Sequence, residues 1–266
     1  DLSLALGTYA MTPLEVAAGY TVFANGGYQV TPSIISKIDS YDGTIAFQNP
    51  PSIICEEPDC LTQNEELTLV RTQSEDNTND ELTISLKEET TNTKKKTVIS
   101  PSTPALRVLD KNVAYLMDSM LKDVVQRGTA TKAKILKRSD LAGKTGTTNG
   151  PLDAWFSGYS GGIVTTTWVG FDDNQKLGRR EFGGSAALPI WINYMREALK
   201  DRPEHHQAQP SSIVSVRINP ETGERARIDD PDAIFEIFPV GQAPKKTQQT
   251  QQNIPENVIE YHEEIF

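Results

Sequence analysis

Apolar residues at Leu14, Ala17, Ala18 and Val22 fall along one face of a 3.6-residue repeat and predict a helix over 12–25. Its punctuation agrees. Thr12 can cap, Pro13 suits the first helical position, Glu15 completes a capping box with Thr12, and Asn25-Gly26-Gly27 stops the helix. Short strands follow at 28–31 and 34–38, with a hairpin around Asp42-Gly43. A second helix is expected over about 111–126. Val113, Leu116, Met117, Met120, Leu121, Val124 and Val125 form its apolar face and Gly128 ends it. The pattern then becomes β-rich at 141–147, 153–159 and 163–171, with turns at Asn149-Gly150-Pro151 and Gly161-Gly162. Trp155, Phe156, Tyr159, Val164, Trp168 and Val169 load both faces of these strands, as in a sheet covered by helices on both sides. A third helix is expected over about 186–200, with Pro189 near its start and Trp191, Tyr194, Met195 and Leu199 as its apolar face. A final β segment runs Ile213–Ile218, turns at Asn219-Pro220-Glu221-Thr222-Gly223 and returns in a second strand.

Between these patterned stretches the chain changes character. From 50 to 105 it is poor in apolar residues and rich in Glu, Asp, Asn and Thr, with Lys94-Lys95-Lys96 near the end; this reads as an inserted excursion. The stretch 242–253, rich in Gln, Thr and Lys, reads as a disordered tail. The divisions are therefore 1–49, the insertion 50–105, a core segment 106–206, and a C-terminal β segment with its tail, 207–266.

Composition narrows this picture only slightly. The 266 residues are 37% hydrophobic and 23% charged, as in globular proteins, and the formal net charge of −10 argues against a nucleic-acid surface. No stretch approaches the roughly 20 apolar residues of a membrane span. The opening Asp1-Leu2-Ser3-Leu4 has neither the basic start of a signal peptide nor an initiator Met, which suggests a piece of a longer protein. Cys55 and Cys60 are too few for a metal site, and their spacing fits a local disulfide or two free thiols equally. His205, His206 and His262 lack metal-ligand spacing and read as surface residues. No metal or organic cofactor is implied.

The informative run is Ala142-Gly143-Lys144-Thr145-Gly146-Thr147-Thr148-Asn149. It does not end a phosphate-binding loop, because Arg138 stands where that motif needs glycine and the run lies on a strand. Alone it would pass for an edge strand with an exposed lysine. It stands, however, in an ordered series. Thr12-Pro13-Leu14-Glu15 leads to Phe23-Ala24-Asn25-Gly26-Gly27; then come Arg127-Gly128-Thr129-Ala130, the Lys-Thr-Gly run, Asp153–Tyr159, Trp168-Val169-Gly170-Phe171-Asp172 and Ala186–Trp191. Together these resemble the transpeptidase domain of class A penicillin-binding proteins of the Gram-negative 1A type, specifically its C-terminal part. That family carries S-x-x-K, S-x-N-like and K-T-G motifs. The resemblance is close over about 1–42 and 105–200, looser over 207–240, and absent from the insertion.

The resemblance implies an α+β fold, an antiparallel sheet flanked by helices. It also implies peptidoglycan D,D-transpeptidation by acyl transfer through a serine ester, with the D-Ala-D-Ala stem peptide as donor and β-lactams as its mimics. Lys144 would be the fixed cation of the cleft. The Thr145 and Thr147 hydroxyls would bind a substrate carboxylate, and Thr148 would join them in binding substrate. Gly146 would leave room for an extended peptide, and the Thr147 amide would form half an oxyanion hole. The parent protein would add a membrane anchor and a glycosyltransferase domain upstream and would work on the periplasmic face of the bacterial inner membrane. Two motifs depart from the family. No Ser-x-Asn occurs. The one Ser-x-x-Lys, Ser119-Met120-Leu121-Lys122, lies only 25 residues before Lys144, with both polar side chains expected to point toward solvent, and reads as a decoy. The nucleophile is therefore expected outside this chain, which alone would be inactive. Two other functions remain in view: a non-catalytic transpeptidase-like binding module, and a β-lactamase or D,D-carboxypeptidase. The length beyond the Lys-Thr-Gly strand and the long insertion weigh against the hydrolases.

Overall fold

Three antiparallel strands carry the Lys-Thr-Gly run. In the computed structural model, which describes residues 7, 9–50, 52–54 and 104–245, β3 (Ala142–Thr147), β4 (Asp153–Ser160) and β5 (Ile163–Gly170) form one sheet in the order β3-β4-β5. β3 and β4 pair from Ala142↔Tyr159 to Thr147↔Ala154, and β4 and β5 from Asp153↔Gly170 to Ser160↔Ile163. Two hairpins, turning at 148–152 and at Gly161-Gly162, therefore generate the sheet, as the turn residues predict. Gly161 and Gly162 have φ of 56° and 77°, which other residues reach only with strain.

Strand alternation then assigns the faces. Phe156 and Ala154 project to one side, where Trp191, Leu188 and Met195 of helix α3 (Leu188–Ala198) join them with Leu141 and Val125 in a fully buried core. The Phe156 and Trp191 rings meet edge to face with centroids 4.9 Å apart, and Trp191 Nε1 donates to the Thr165 carbonyl at 3.1 Å. On the other side Ala142 and Tyr159 pack with Leu121 of α2 (Lys111–Gln126) and with Tyr20, Phe23 and Ala24 of α1 (Pro13–Ala24). Apolar residues on both faces are thus covered by helices on both faces.

The helices start as their sequence dictates. At α1, Thr12 N donates to Glu15 Oε2 at 2.8 Å and Glu15 N donates to Thr12 Oγ1 at 3.2 Å, which is the predicted capping box. Asp110 caps α2 by accepting from Asn112 N and Val113 N. The burial patterns differ from expectation. Leu14 is exposed, and α1 packs through Tyr20, Phe23 and Ala24 near its end. On α2 the buried residues are Ala114, Asp118, Leu121 and Val125, while Val113 and Met120 face outward. The real inward stripe includes an aspartate, which a purely apolar count passes over. The segment 28–31 is not a strand. Tyr28 makes a single antiparallel bridge with Arg107, whose guanidinium stacks 4.1 Å over the Tyr28 ring and donates to the Gly26 carbonyl. The first true strands are β1 (Lys37–Asp39) and β2 (Ile45–Gln48), a hairpin whose turn is held by Asp42 accepting from Thr44 N at 3.0 Å. Two short elements were not predicted, a 3₁₀ segment at Thr131–Leu136 and a π-turn at Gly183–Ala187 leading into α3.

Asp140, just before β3, anchors the sheet. Its side chain is fully buried and accepts from Arg138 Nε (2.9 Å) and Nη2 (3.0 Å), Ser160 Oγ (2.7 Å), Gly161 N (2.9 Å) and His205 N (3.0 Å). Burial pushes this carboxyl up, but the Arg138 guanidinium and the other donors outweigh it and hold the group well below the ordinary carboxylate range.

The chain divides into two compact units, Asp1–Gln207 and Ala208–Phe266. In the second, β6 (Ile213–Ile218) and β7 (Ile234–Pro239) pair antiparallel, with Ile213, Val216 and Ile218 buried. Its predicted turn is organised by Asn219, whose side-chain oxygen accepts from Glu221 N and Thr222 N, ahead of Gly223 at φ 71°. Cys55, Cys60, His262, most of the insertion and most of the expected tail lie outside the described residues.

Candidate active site

The Lys-Thr-Gly strand is an edge among the described strands: β3 pairs with β4 on one side, and the sheet order ends there. Its first half is locked. Ala142 and Gly143 are buried, and a Cβ on Gly143 would stand 2.7 Å from the Ser157 carbonyl oxygen and 2.8 Å from the Phe156 ring. Its second half opens outward. Lys144 and Gly146 share the face of Ala142. The Lys144 side chain is exposed, and its Nζ donates to the Thr145 carbonyl at 2.9 Å. Gly146 lies against Trp155, whose Cβ would be 3.1 Å from any Cβ at 146, so a larger residue would crowd this stretch.

Thr145 and Thr147 take the other face, where two distant segments meet them. Thr147 Oγ1 accepts from Gly183 N at 3.0 Å, and Thr145 Oγ1 and Thr129 Oγ1 stand 2.8 Å apart. Gly183 sits so close that a Cβ there would be 2.4 Å from the Trp155 carbonyl oxygen and 2.5 Å from that of Gly146. Thr148 differs from its neighbours. Its hydroxyl accepts from Leu152 N and Asp153 N and donates to Asp153 Oδ2, so it is occupied in the 148–153 turn. The structure thus brings Lys144, Thr145, Gly146 and Thr147 together along one open edge and commits the Thr148 hydroxyl to the turn that ends it. Thr129 and Gly183 are the site neighbours that sequence reasoning missed. Arg127–Ala130 stands in the ordered series of segments, but nothing in its spacing points at Thr145.

Ser119 and Lys122 do not form a nucleophile–base pair. Lys122 does not point to solvent as expected. Its ammonium donates to Asp118 Oδ2 at 2.6 Å, and the side chain is only 22% exposed. Asp118 is buried and also accepts from Tyr159 Oη at 2.8 Å. Burial and the Asp118 charge push the Tyr159 phenol far above its ordinary range, which keeps it protonated as the donor. The lysine is therefore a counter-ion for a buried carboxylate, and among the described residues no hydrogen bond joins it to Ser119. His205 and His206 are exposed, and the described residues contain no cluster of three or more His, Cys, Asp or Glu that could hold a metal.

Comparison with known proteins decides the family. The sequence model described as the penicillin binding protein transpeptidase domain matches residues 1–191. The chain belongs to the penicillin-binding transpeptidase family. Penicillin-binding protein 1A of Pseudomonas aeruginosa is 48% identical over 239 residues, 90% of this chain and 29% of that protein. Its namesake from Vibrio cholerae is 32% identical over 291 residues, 99% of this chain and 32% of that protein. Among solved structures, penicillin-binding protein 1A from Haemophilus influenzae superimposes with a TM-score of 0.71 at 34% identity, over 93% of this chain and 34% of that one. The chain thus spans about a third of the length of the relatives it matches. The α+β transpeptidase fold expected from the resemblance is the fold observed. No helix among the described residues is long and apolar enough to cross a membrane.

Proposed function

We propose that this transpeptidase domain supplies the Lys-Thr-Gly wall of a serine D,D-transpeptidase site that cross-links peptidoglycan stem peptides, with the nucleophilic serine contributed from outside residues 1–266. The observation that carries this reading is β3 itself, an open edge strand presenting Lys144, Thr145, Gly146 and Thr147 in a chain of this family. An extended D-Ala-D-Ala peptide can lie along such an edge by strand addition, with Gly146 giving clearance. The serine oxygen attacks the carbonyl carbon of the D-Ala-D-Ala bond, the terminal D-Ala departs as an amine carrying the proton, and an amine of a second stem peptide releases the serine. Lys144 draws in the substrate carboxylate and polarises neighbouring hydroxyls. Thr145 and Thr147 donate to that carboxylate. The Thr147 amide stabilises the developing oxyanion, a donor of the kind that contributes about 3 kcal/mol. Thr148 contributes by holding the strand end. β-Lactams occupy the donor position and remain attached. The reaction takes place on the periplasmic face of the inner membrane, with membrane attachment and a glycosyltransferase domain outside this chain. Nucleic acid has no part in it, and residues 1–266 alone are inactive.

Peptide mapping of the full-length polypeptide after penicillin treatment tests this. The expected result is an adduct on a serine outside residues 1–266, with labelling at least about 100-fold slower in Lys144→Met and the unfolding free energy within about 0.5 kcal/mol of the parent, because Lys144 is exposed. An adduct on Ser119, or unchanged labelling in Lys144→Met, overturns the reading.

A further inference from the structure

Thr145 and Thr147 look equivalent in sequence but are held by different donors, and the difference has a chemical consequence. The Thr147 hydroxyl oxygen accepts from the Gly183 amide, which can only donate. The Thr147 O–H is therefore free to donate onward. Thr145 is instead paired with another hydroxyl, Thr129, 2.8 Å away, and either oxygen can be the donor. A carboxylate is acceptor-only, and Thr145 has a single hydroxyl hydrogen. Thr145 can give that hydrogen to a ligand carboxylate only if Thr129 donates to Thr145.

We propose that Thr129 is a positioning residue for ligand carboxylates: its O–H donates to Thr145 Oγ1 and turns the Thr145 hydroxyl outward, matching what Gly183 does for Thr147. This inference rests on the transpeptidase reading above. Three observations support a built arrangement. Thr129 is backed by a rigid turn, since Ala130 is fully buried, its N donates to the Val124 carbonyl at 3.0 Å, and a Cβ on Gly128 would lie 2.8 Å from Val124 Cα. The π-turn closes from the other side, where a Cβ on Gly184 would lie 3.2 Å from the Thr129 carbonyl oxygen. The two threonines also share a strand face at a separation of two residues, about 6.8 Å of strand rise. A carboxylate group bridges that distance when each of its oxygens accepts one O–H at about 2.7 Å.

The test compares acylation of the full-length polypeptide by benzylpenicillin and by its methyl ester, which keeps the lactam but replaces the carboxylate with a neutral ester. The parent should react faster with the acid. Thr129→Val should slow the acid about tenfold, the equivalent of one charge-assisted hydrogen bond, and change the ester rate less than about twofold on that same scale. Thr129→Ala should repeat this ratio, and Thr129→Ser should restore the acid rate. The ester rate in each preparation reports whether the site is folded. Equal slowing of both substrates in Thr129→Val and Thr129→Ala, no slowing of either, or no rescue by serine overturns the inference. Failure of the parent to be acylated by either compound would instead sink the transpeptidase reading on which it rests.

Discussion

Asp140 shows how much one residue can organise. A carboxylate removed from water is costly, and here five donors from three parts of the chain compensate it: Arg138, the end of β4 with its turn, and the backbone at His205. Because these partners favour the ionised form, the native carboxyl titrates below its unfolded counterpart, whose ordinary value is 3.8. The unfolded chain takes up the proton first, so the contribution to stability is fully present above the ordinary carboxylate range and is lost as pH falls below about 4. Asp140→Asn leaves the half-buried Arg138 beside a neutral amide and should cost about 3 kcal/mol at pH 7, the low end of the range for breaking a buried pair. In denaturant melts of the full-length polypeptide, the gap between parent and variant should hold from pH 7 to pH 5 and narrow progressively as pH falls through about 4 to pH 3. A gap that stays constant across that window would show that the carboxylate's charge contributes nothing.

At the scale of elements, what could be read from the sequence was whatever depends on neighbours in the chain. The capping box at Thr12 and Glu15, the glycine turns between β3, β4 and β5, and the two-faced apolar loading of those strands all concern residues within a few positions of one another. What could not be read depends on distant contacts. The inward face of α2 is set by Asp118, which makes sense only once Tyr159, 41 residues away, donates to it. The site divides likewise. Lys144–Thr147 was legible as a motif, whereas the groups that hold its hydroxyls come from Thr129 and from the π-turn at Gly183, 16 and 36 residues distant. The π-turn itself has no periodic signature, although the pair Gly183-Gly184 is explained by the space it must occupy. Gly183→Ala would place a methyl 2.4 and 2.5 Å from two carbonyl oxygens of β3 and β4, neither of which can yield without breaking the ladder. It should destabilise the fold by about 2 kcal/mol or more, as overpacking does, and should slow penicillin acylation by withdrawing the Gly183 amide from Thr147. A variant that melts and reacts like the parent would show that the turn is not seated against the strand.

For the whole molecule, the question is how the described segments on either side of residues 55–103 are joined. They meet backbone to backbone. Ile53 and Pro104 form a parallel bridge, Ala105 N donates to the Ile53 carbonyl at 2.8 Å, and one layer further in the Gly27 carbonyl accepts from Val108 N and Leu109 N. A Cβ on Gly27 would meet the Leu109 carbonyl oxygen at 2.2 Å, so the α1 terminus and the entry to α2 are fitted backbone to backbone. These contacts place the two flanks of residues 55–103 about 5 Å apart, the spacing of bridged strands. A six-residue Gly-Ser link, reaching at most about 20 Å, has enough length to leave Ile54, reverse and enter Pro104. The described hydrogen bonds and glycine contacts of β3, Thr129 and Gly183 come from within 128–130, 142–160 and 182–187. Replacing 55–103 with such a link in the full-length polypeptide should therefore leave the rate of penicillin acylation within about twofold of the parent, a difference of less than 0.5 kcal/mol on the scale where about 1.4 kcal/mol is tenfold. A tenfold loss with an unchanged melting point would mean that residues 55–103 contribute directly to the site. A loss of both would mean that the bridge at Ile53 and Pro104 depends on the chain it closes.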